Sequence, residues 1–250
     1  MTNDQRKWVR RYRSAPDAAV QLVCLPHAGG GASYYRPMAT ALFPAVEVLA
    51  VQYPGRQDRA GEPFVGDFAE LVERTHAAVR PSLDRPVALF GHSMGALVAF
   101  EVAKRLESDG IAPTALFASS KRPPGMADPE LPHTATDEEL IADIAALNGT
   151  EERLLDNEDI RQMFLPVLRA DLKALEGYRP DGGPVACPLV ALTGDADDRV
   201  PIDDAAAWAG HTSGGFDLHV FPGGHFYLTG RWDGVGEVLG KHLGANAPTG

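Results

Sequence analysis

Pro86-Val87-Ala88-Leu89-Phe90-Gly91-His92-Ser93-Met94-Gly95, continued by Ala96-Leu97-Val98-Ala99-Phe100-Glu101-Val102-Ala103, is the stretch on which the fold turns. It opens with an apolar run of strand length and closes with a helix-favouring run. Between the two lies a G-x-S-x-G pentapeptide. By chance alone such a pentapeptide arises somewhere in a chain of this composition with odds of roughly one in ten, so the flanks carry the argument. Strand, sharp turn and helix in that order hold a serine on strained backbone with its hydroxyl pushed outward, the geometry of a nucleophile elbow. The glycines are needed because side chains would collide where strand and helix come so close.

Outward from this turn, short apolar runs alternate with helical patterns. Val20–Leu25, Val46–Gln52, Thr114–Ser119, Leu189–Thr193 and Leu218–Phe221 read as further strands. Phe68–Val79 and Met94–Leu106 carry helical spacing, and Asp204–Ala209 and Val235–Leu243 read as shorter helices. This alternation predicts an α/β fold with a mostly parallel sheet and helices on both faces. Sites in such sheets lie beyond the carboxyl ends of the strands, where Ser93 falls.

The alternation breaks between Ser120 and Pro180. Thr136 would cap a helix over Asp137–Leu147, and Asn157 a second one through Ile160, Met163, Phe164, Val167, Leu168, Leu172 and Leu175, with Pro166 as a kink. The expectation is one domain over residues 1–250 with a helical lid inserted at 120–180. The apolar stripe either packs as ordinary core or roofs the site after Ser93, and the segment's position favours the roof.

Length and composition bound the answer further. With 250 residues, 44% hydrophobic, the chain buries a large core. A net charge of −11 argues against general nucleic-acid binding, which needs basic surface. Arg6, Lys7, Arg10, Arg11 and Arg13 form a basic N-terminal cluster, read either as a solvated tail or as a contact for an acidic partner. Cys24 and Cys187 sit beside strand-like runs and are expected as buried free thiols. No apolar run reaches the ~18 residues of a membrane span, and no signal-peptide core follows the basic start, so a cytoplasmic setting is expected.

A serine needs a base, and the base needs a carboxylate to orient it. After the run ending at Thr193 comes Gly194-Asp195-Ala196-Asp197-Asp198, and after Phe221 comes Pro222-Gly223-Gly224-His225-Phe226. Ser, Asp, His is the chain order of α/β-hydrolases. His225 is the expected base, and the acid is one of Asp195, Asp197 and Asp198. His76, His92, His133, His211, His219 and His242 lack a matching loop. No His/Cys/Asp cluster has a metal-ligand spacing in sequence, so neither metal nor cofactor is expected. Pro26-His27-Ala28-Gly29-Gly30-Gly31 lacks the Lys of a P-loop. It fits instead an oxyanion hole, with one backbone donor at Ala28 and the other at Met94, the residue after the nucleophile.

Leu25-Pro26-His27-Ala28-Gly29-Gly30, Gln52-Tyr53-Pro54-Gly55-Arg56 with Arg59 and Glu62-Pro63, Gly91–Gly95 and Pro222–Phe226 together resemble the type II thioesterases that accompany polyketide synthases and nonribosomal peptide synthetases. The segment between β-patterns is similar too, in His133, Thr136–Leu140, Gly149-Thr150 and Leu165–Asp171. The resemblance covers nearly the whole chain. It implies an α/β-hydrolase that removes stalled or wrong acyl groups from the phosphopantetheine arm of an acyl or peptidyl carrier protein. The family's Gly-x-x-Asp-x-x-Val pattern falls on Gly194, Asp197 and Val200 and so selects Asp197 as the acid. Its oxyanion donors fall on Ala28 and Met94. Arg56 and Arg59 are read first as internal structural residues of their loop and, alternatively, together with the N-terminal arginines, as the candidate carrier contacts. A carboxylesterase, an acyltransferase or cyclase on the same triad, and a non-catalytic binding protein are the competing readings.

Overall fold

The structure, a computed structural model, describes residues 7–147 and 157–244. Five strands are Val- and Leu-rich and buried throughout: β2 (Val20–Leu25), β3 (Val46–Val51), β4 (Val87–His92), β5 (Leu116–Ser119) and β6 (Leu189–Gly194). Burial on both faces is what a parallel sheet sandwiched between helices requires. With β7 (Phe216–Phe221) at one edge and β1 (Val9–Arg10) at the other, the described residues form a seven-stranded sheet in the order β1-β3-β2-β4-β5-β6-β7. Every pairing is parallel except that of β1 with β3.

Alternate residues of the strands feed two cores. Val23, Leu25, Leu49 and Leu89 pack toward α2 (Phe68–Val79) and α3 (Met94–Ser108). Leu22, Cys24, Val48 and Phe90 pack toward α1 (Arg36–Ala41) and α7 (Trp232–His242). The chain leaves β2 for β3 on one side and returns to β4 on the other. The crevice at this switch point, between β2 and β4, is where such sheets bind ligands. Both cysteines are buried and free, as expected. Among the described residues no helix is long and apolar enough to cross a membrane.

Among the described residues, two helices lie between β5 and β6. In α4 (Asp137–Ala146), Thr136 and Glu139 form a reciprocal capping box. In α5 (Glu158–Glu176), the Asn157 side chain accepts from the Asp159 and Ile160 amides, and the helix continues through Pro166. Leu140, Leu165, Leu168 and Leu172 make a small core of their own, which Ala28 also touches. A short α6 (Ile202–Ala206) follows β6 and begins two residues earlier than expected. Gly149-Thr150 lies outside the described residues.

The N-terminal basic cluster is not a solvated tail where the structure describes it. Trp8 is buried, its carbonyl accepts from the Gln52 amide at 2.8 Å, and β1 pairs with Val51 and Ala50. Lys7 pairs with Glu62, Arg10 with Asp58, and Arg13 lies over the Phe43 ring. Arg6 lies outside the described residues.

Candidate active site

Ser93 stands between β4 and α3 with φ 52° and ψ −124°, a strained backbone conformation for a residue bearing a Cβ. The flanking glycines explain how it is reached. A Cβ on Gly91 would stand 2.0 Å from the Gly95 carbonyl oxygen, and one on Gly95 would stand 2.0 Å from that of Leu25. Neither position admits another residue, because backbone is the obstacle on both sides. Ser93 heads α3, so the unpaired amides of the first helical turn surround it.

His225 follows β7 and Asp197 follows β6. Their loops meet backbone to backbone: a Cβ on Gly194 would lie 2.2 Å from the Gly223 carbonyl oxygen. Asp195 is exposed and accepts from the Gly223 amide at 2.8 Å, which fixes the histidine loop. Asp197 faces inward, with its carboxylate oxygens 3.0 and 3.2 Å from His225 Nδ1. It also accepts from the Arg199 and Val200 amides at 3.0 and 3.2 Å. Burial alone would raise its pKa. The His225 imidazole, the nearby Ser120 hydroxyl and the Arg199 amide outweigh burial and hold the carboxyl below its usual value. Asp198 is exposed and lies outside this arrangement. His225, its Nδ1 committed to Asp197, lines one cleft together with Ser93 and Ala28.

The structure thus brings Ser93, His225, Asp197, Ala28 and Met94 to one end of the sheet. Gly29 donates its amide to Asp171 at 2.8 Å, and Gly30 donates to the His27 carbonyl. Among the described residues, the Ala28 and Met94 amides meet no protein acceptor.

Arg56 and Arg59 take the internal role rather than that of carrier contacts. Both are buried, so neither offers a surface for a carrier. Arg59 holds Glu62 and the Gln52 carbonyl. Arg56 grips Asp171 of α5 through two bonds of 2.6 and 2.8 Å and donates to the Gly30 carbonyl at 3.1 Å. Asp171, absent from the expected site residues, therefore ties α5 to the glycine loop beside Ala28. Its position in the Leu165–Asp171 motif was the available signal. Breaking a buried pair from one side costs roughly 3–5 kcal/mol, because it strands the other charge. Asp171→Asn is expected to lower stability by about that amount in denaturant unfolding and to lower kcat. A loss under about 1 kcal/mol would show that the pair does not hold the loop.

His27 and His92 pack with His225 and Phe226 in one ring cluster, His92 lying 5.3 Å from His225 between ring centres. His92 Nδ1 shares a 3.0 Å hydrogen bond with Ser119 Oγ. Burial, reinforced by His225 and Arg56, pushes the His27 pKa down to about 3. Burial, then His225 and His27, pushes that of His92 down as well. Between pH 6.5 and the native values the unfolded chain binds protons that the folded chain refuses, so stability rises with pH in that window. His27 should remove about 2 kcal/mol between pH 7 and pH 5, and His92 acts in the same direction. Thermal melts across this range should fall, and fall less steeply in His27→Gln. Identical slopes would contradict a neutral buried His27.

Ile144, Leu168 and Leu172 of the inserted helices roof the cleft, and the space left among the described residues is about 30 Å³, room for one or two waters. Arg199, two residues beyond Asp197, pairs with Asp143 of α4 and bars one side. A larger hollow of about 370 Å³ adjoins it and shares Glu130 and Leu172 as walls. Buried Lys121 holds Glu130 there at 2.6 Å and Asp128 at 2.7 Å. Burial opposes the charge on Lys121, but the two carboxylates prevail and raise its pKa.

An elbow serine, an inward histidine and a buried aspartate on a parallel sheet define a serine hydrolase of the α/β-hydrolase fold. The sequence profile of the thioesterase domain matches residues 20–243, and the chain belongs to that family, serine hydrolases that act on thioesters. Its relatives are narrower in kind. Thioesterase PikA5 of Streptomyces venezuelae is 45% identical over 244 residues, 96% of this chain and 86% of that protein. The solved structure of the type II thioesterase BorB from the borrelidin biosynthetic cluster is 47% identical, with a TM-score of 0.87 over 94% of this chain and 97% of that one. YbtT, a type II thioesterase from the yersiniabactin NRPS/PKS pathway, is 27% identical, with a TM-score of 0.86 over 95% of this chain and 98% of that one. The chain is thus of the type II thioesterase kind found in polyketide and nonribosomal peptide pathways.

Proposed function

We propose that this enzyme hydrolyses acyl groups from the phosphopantetheine arm of a carrier protein, with Ser93 as nucleophile, His225 as base, Asp197 as orienting acid and the Ala28 and Met94 amides as oxyanion donors. The observation that carries the reading is the strained Ser93 in one cleft with a His225 whose far nitrogen is held by buried Asp197. Ser93 Oγ attacks the thioester carbonyl while its proton passes to His225 Nε2. The two amides receive the negative oxygen. The thiol departs with that proton and leaves an acyl-serine. His225 then takes a proton from water, which attacks the ester, and returns it to Ser93 as the acid leaves. A thiolate leaves readily, so little protonation of the leaving group is required.

The helices of residues 120–180 act as a lid in this proposal. The space of about 30 Å³ among the described residues is too small for an acyl group, and a shift of α4 and α5 would open it. The ion pairs Arg56–Asp171 and Arg199–Asp143 set where the lid rests. The names of the relatives support a polyketide or nonribosomal peptide setting. The same acyl group should be cleaved with a higher kcat/KM from a carrier protein than from a small thiol. Equal values at every ionic strength would favour a general small-thioester hydrolase instead.

A further inference from the structure

We propose that Asp217, His219 and His242 form a tetrahedral binding site for a zinc-class divalent transition metal, which clamps the edge strand β7 to the last turn of α7. Asp217 and His219 are two residues apart on β7 and so share a face of the strand. His242 closes α7 and reaches the same point. The two Nε2 atoms lie 3.1 Å apart, and Asp217 Oδ2 lies 3.4 Å from one and 3.5 Å from the other. A tetrahedral site with bonds of about 2.0–2.1 Å has ligand–ligand edges of about 3.3 Å. An octahedral site with bonds of about the same length has edges nearer ~2.9 Å. The triangle of donor atoms therefore fits three corners of a tetrahedron, and two imidazoles with one carboxylate suit zinc.

Two further features prepare the site. Asp217 Oδ1 accepts from the Leu218 amide at 2.9 Å, which leaves Oδ2 directed at the imidazoles. Both histidines are about three-quarters buried while Asp217 is half exposed, so the fourth corner opens to solvent.

The site stands on the body of β7, whereas His225 follows the strand's carboxyl end. The loop bearing His225 is the connection between β7 and α7. A metal joining those two elements braces that connection without entering the hydrolytic reaction. The three residues form no linear motif, since His242 lies beyond the whole loop and helix.

The test uses tag-free full-length protein stripped by a chelator. Titration with zinc chloride is expected to show one ion per chain and to raise the melting temperature by several degrees at saturation. Cobalt(II) is expected to give the visible spectrum of a tetrahedral site. His242→Gln should weaken zinc binding at least ~10-fold and leave the metal-free thioesterase rate unchanged. No binding at about 100 µM zinc, an octahedral cobalt spectrum, or undiminished binding by His242→Gln would overturn the proposal and leave an imidazole–imidazole hydrogen bond in its place. If that variant fails to fold, the cobalt spectrum of the unmodified protein decides.

Discussion

Ser93→Ala is expected to lower kcat for thioester hydrolysis by at least ~10⁴-fold while the protein remains folded. Loss of the nucleophile from a serine hydrolase removes a step that no neighbouring group can supply, and comparable removals cost up to ~10⁶. Alanine keeps the Cβ and so the same strained backbone at φ 52°. The removed hydroxyl is small, and the glycine contacts that shape the turn belong to Gly91 and Gly95. Melting temperature should therefore change by a few degrees at most. A folded Ser93→Ala protein with more than a few percent of the original rate would exclude Ser93 as nucleophile.

Asp197→Asn is expected to cost about 10⁴-fold in kcat, the scale found when an orienting aspartate becomes an amide. The carboxylate accepts from His225 Nδ1 and from two backbone amides. An amide in its place donates to Nδ1 and favours the tautomer whose Nε2 carries a proton, so that nitrogen can no longer take one from Ser93. Asp195→Asn should cost less than ~10-fold, because its remaining carbonyl oxygen still accepts from Gly223. Asp198→Asn should be close to neutral. Measuring kcat for the three variants with one acyl donor separates them, and a larger loss at Asp195 would move the acid by two residues.

Much of the fold was legible because its signals are local. β2 and α2 fall at the expected residues, and Gly91 and Gly95 are required for the reason read from the motif, close approach of backbone. β1 escaped because two residues carry no periodicity; it is fixed by Trp8 and by pairing with distant Val51. α1 is too short to show a full apolar stripe. The site was legible as far as chain order reaches. Local pattern left three aspartates open and the family resemblance selected Asp197; the meeting of the β6 and β7 loops buries that residue against His225 and leaves Asp195 exposed. For Arg56 and Arg59 an internal role and a carrier contact both stayed open, because a sequence does not show that Asp171, 115 residues on, lies beside Arg56. Asp217, His219 and His242 went unread for the same reason, since folding alone brings the last turn of α7 against β7.

The most direct test of the proposed chemistry is to mix acyl-loaded carrier protein with excess enzyme, quench within the first turnover and locate the acyl mass by peptide mapping. The acyl group is expected on the peptide containing Ser93, to persist longer in Asp197→Asn, and to be absent in Ser93→Ala. Free acid released with no acyl-enzyme at any time, or an acyl group carried by a residue other than Ser93, would contradict it.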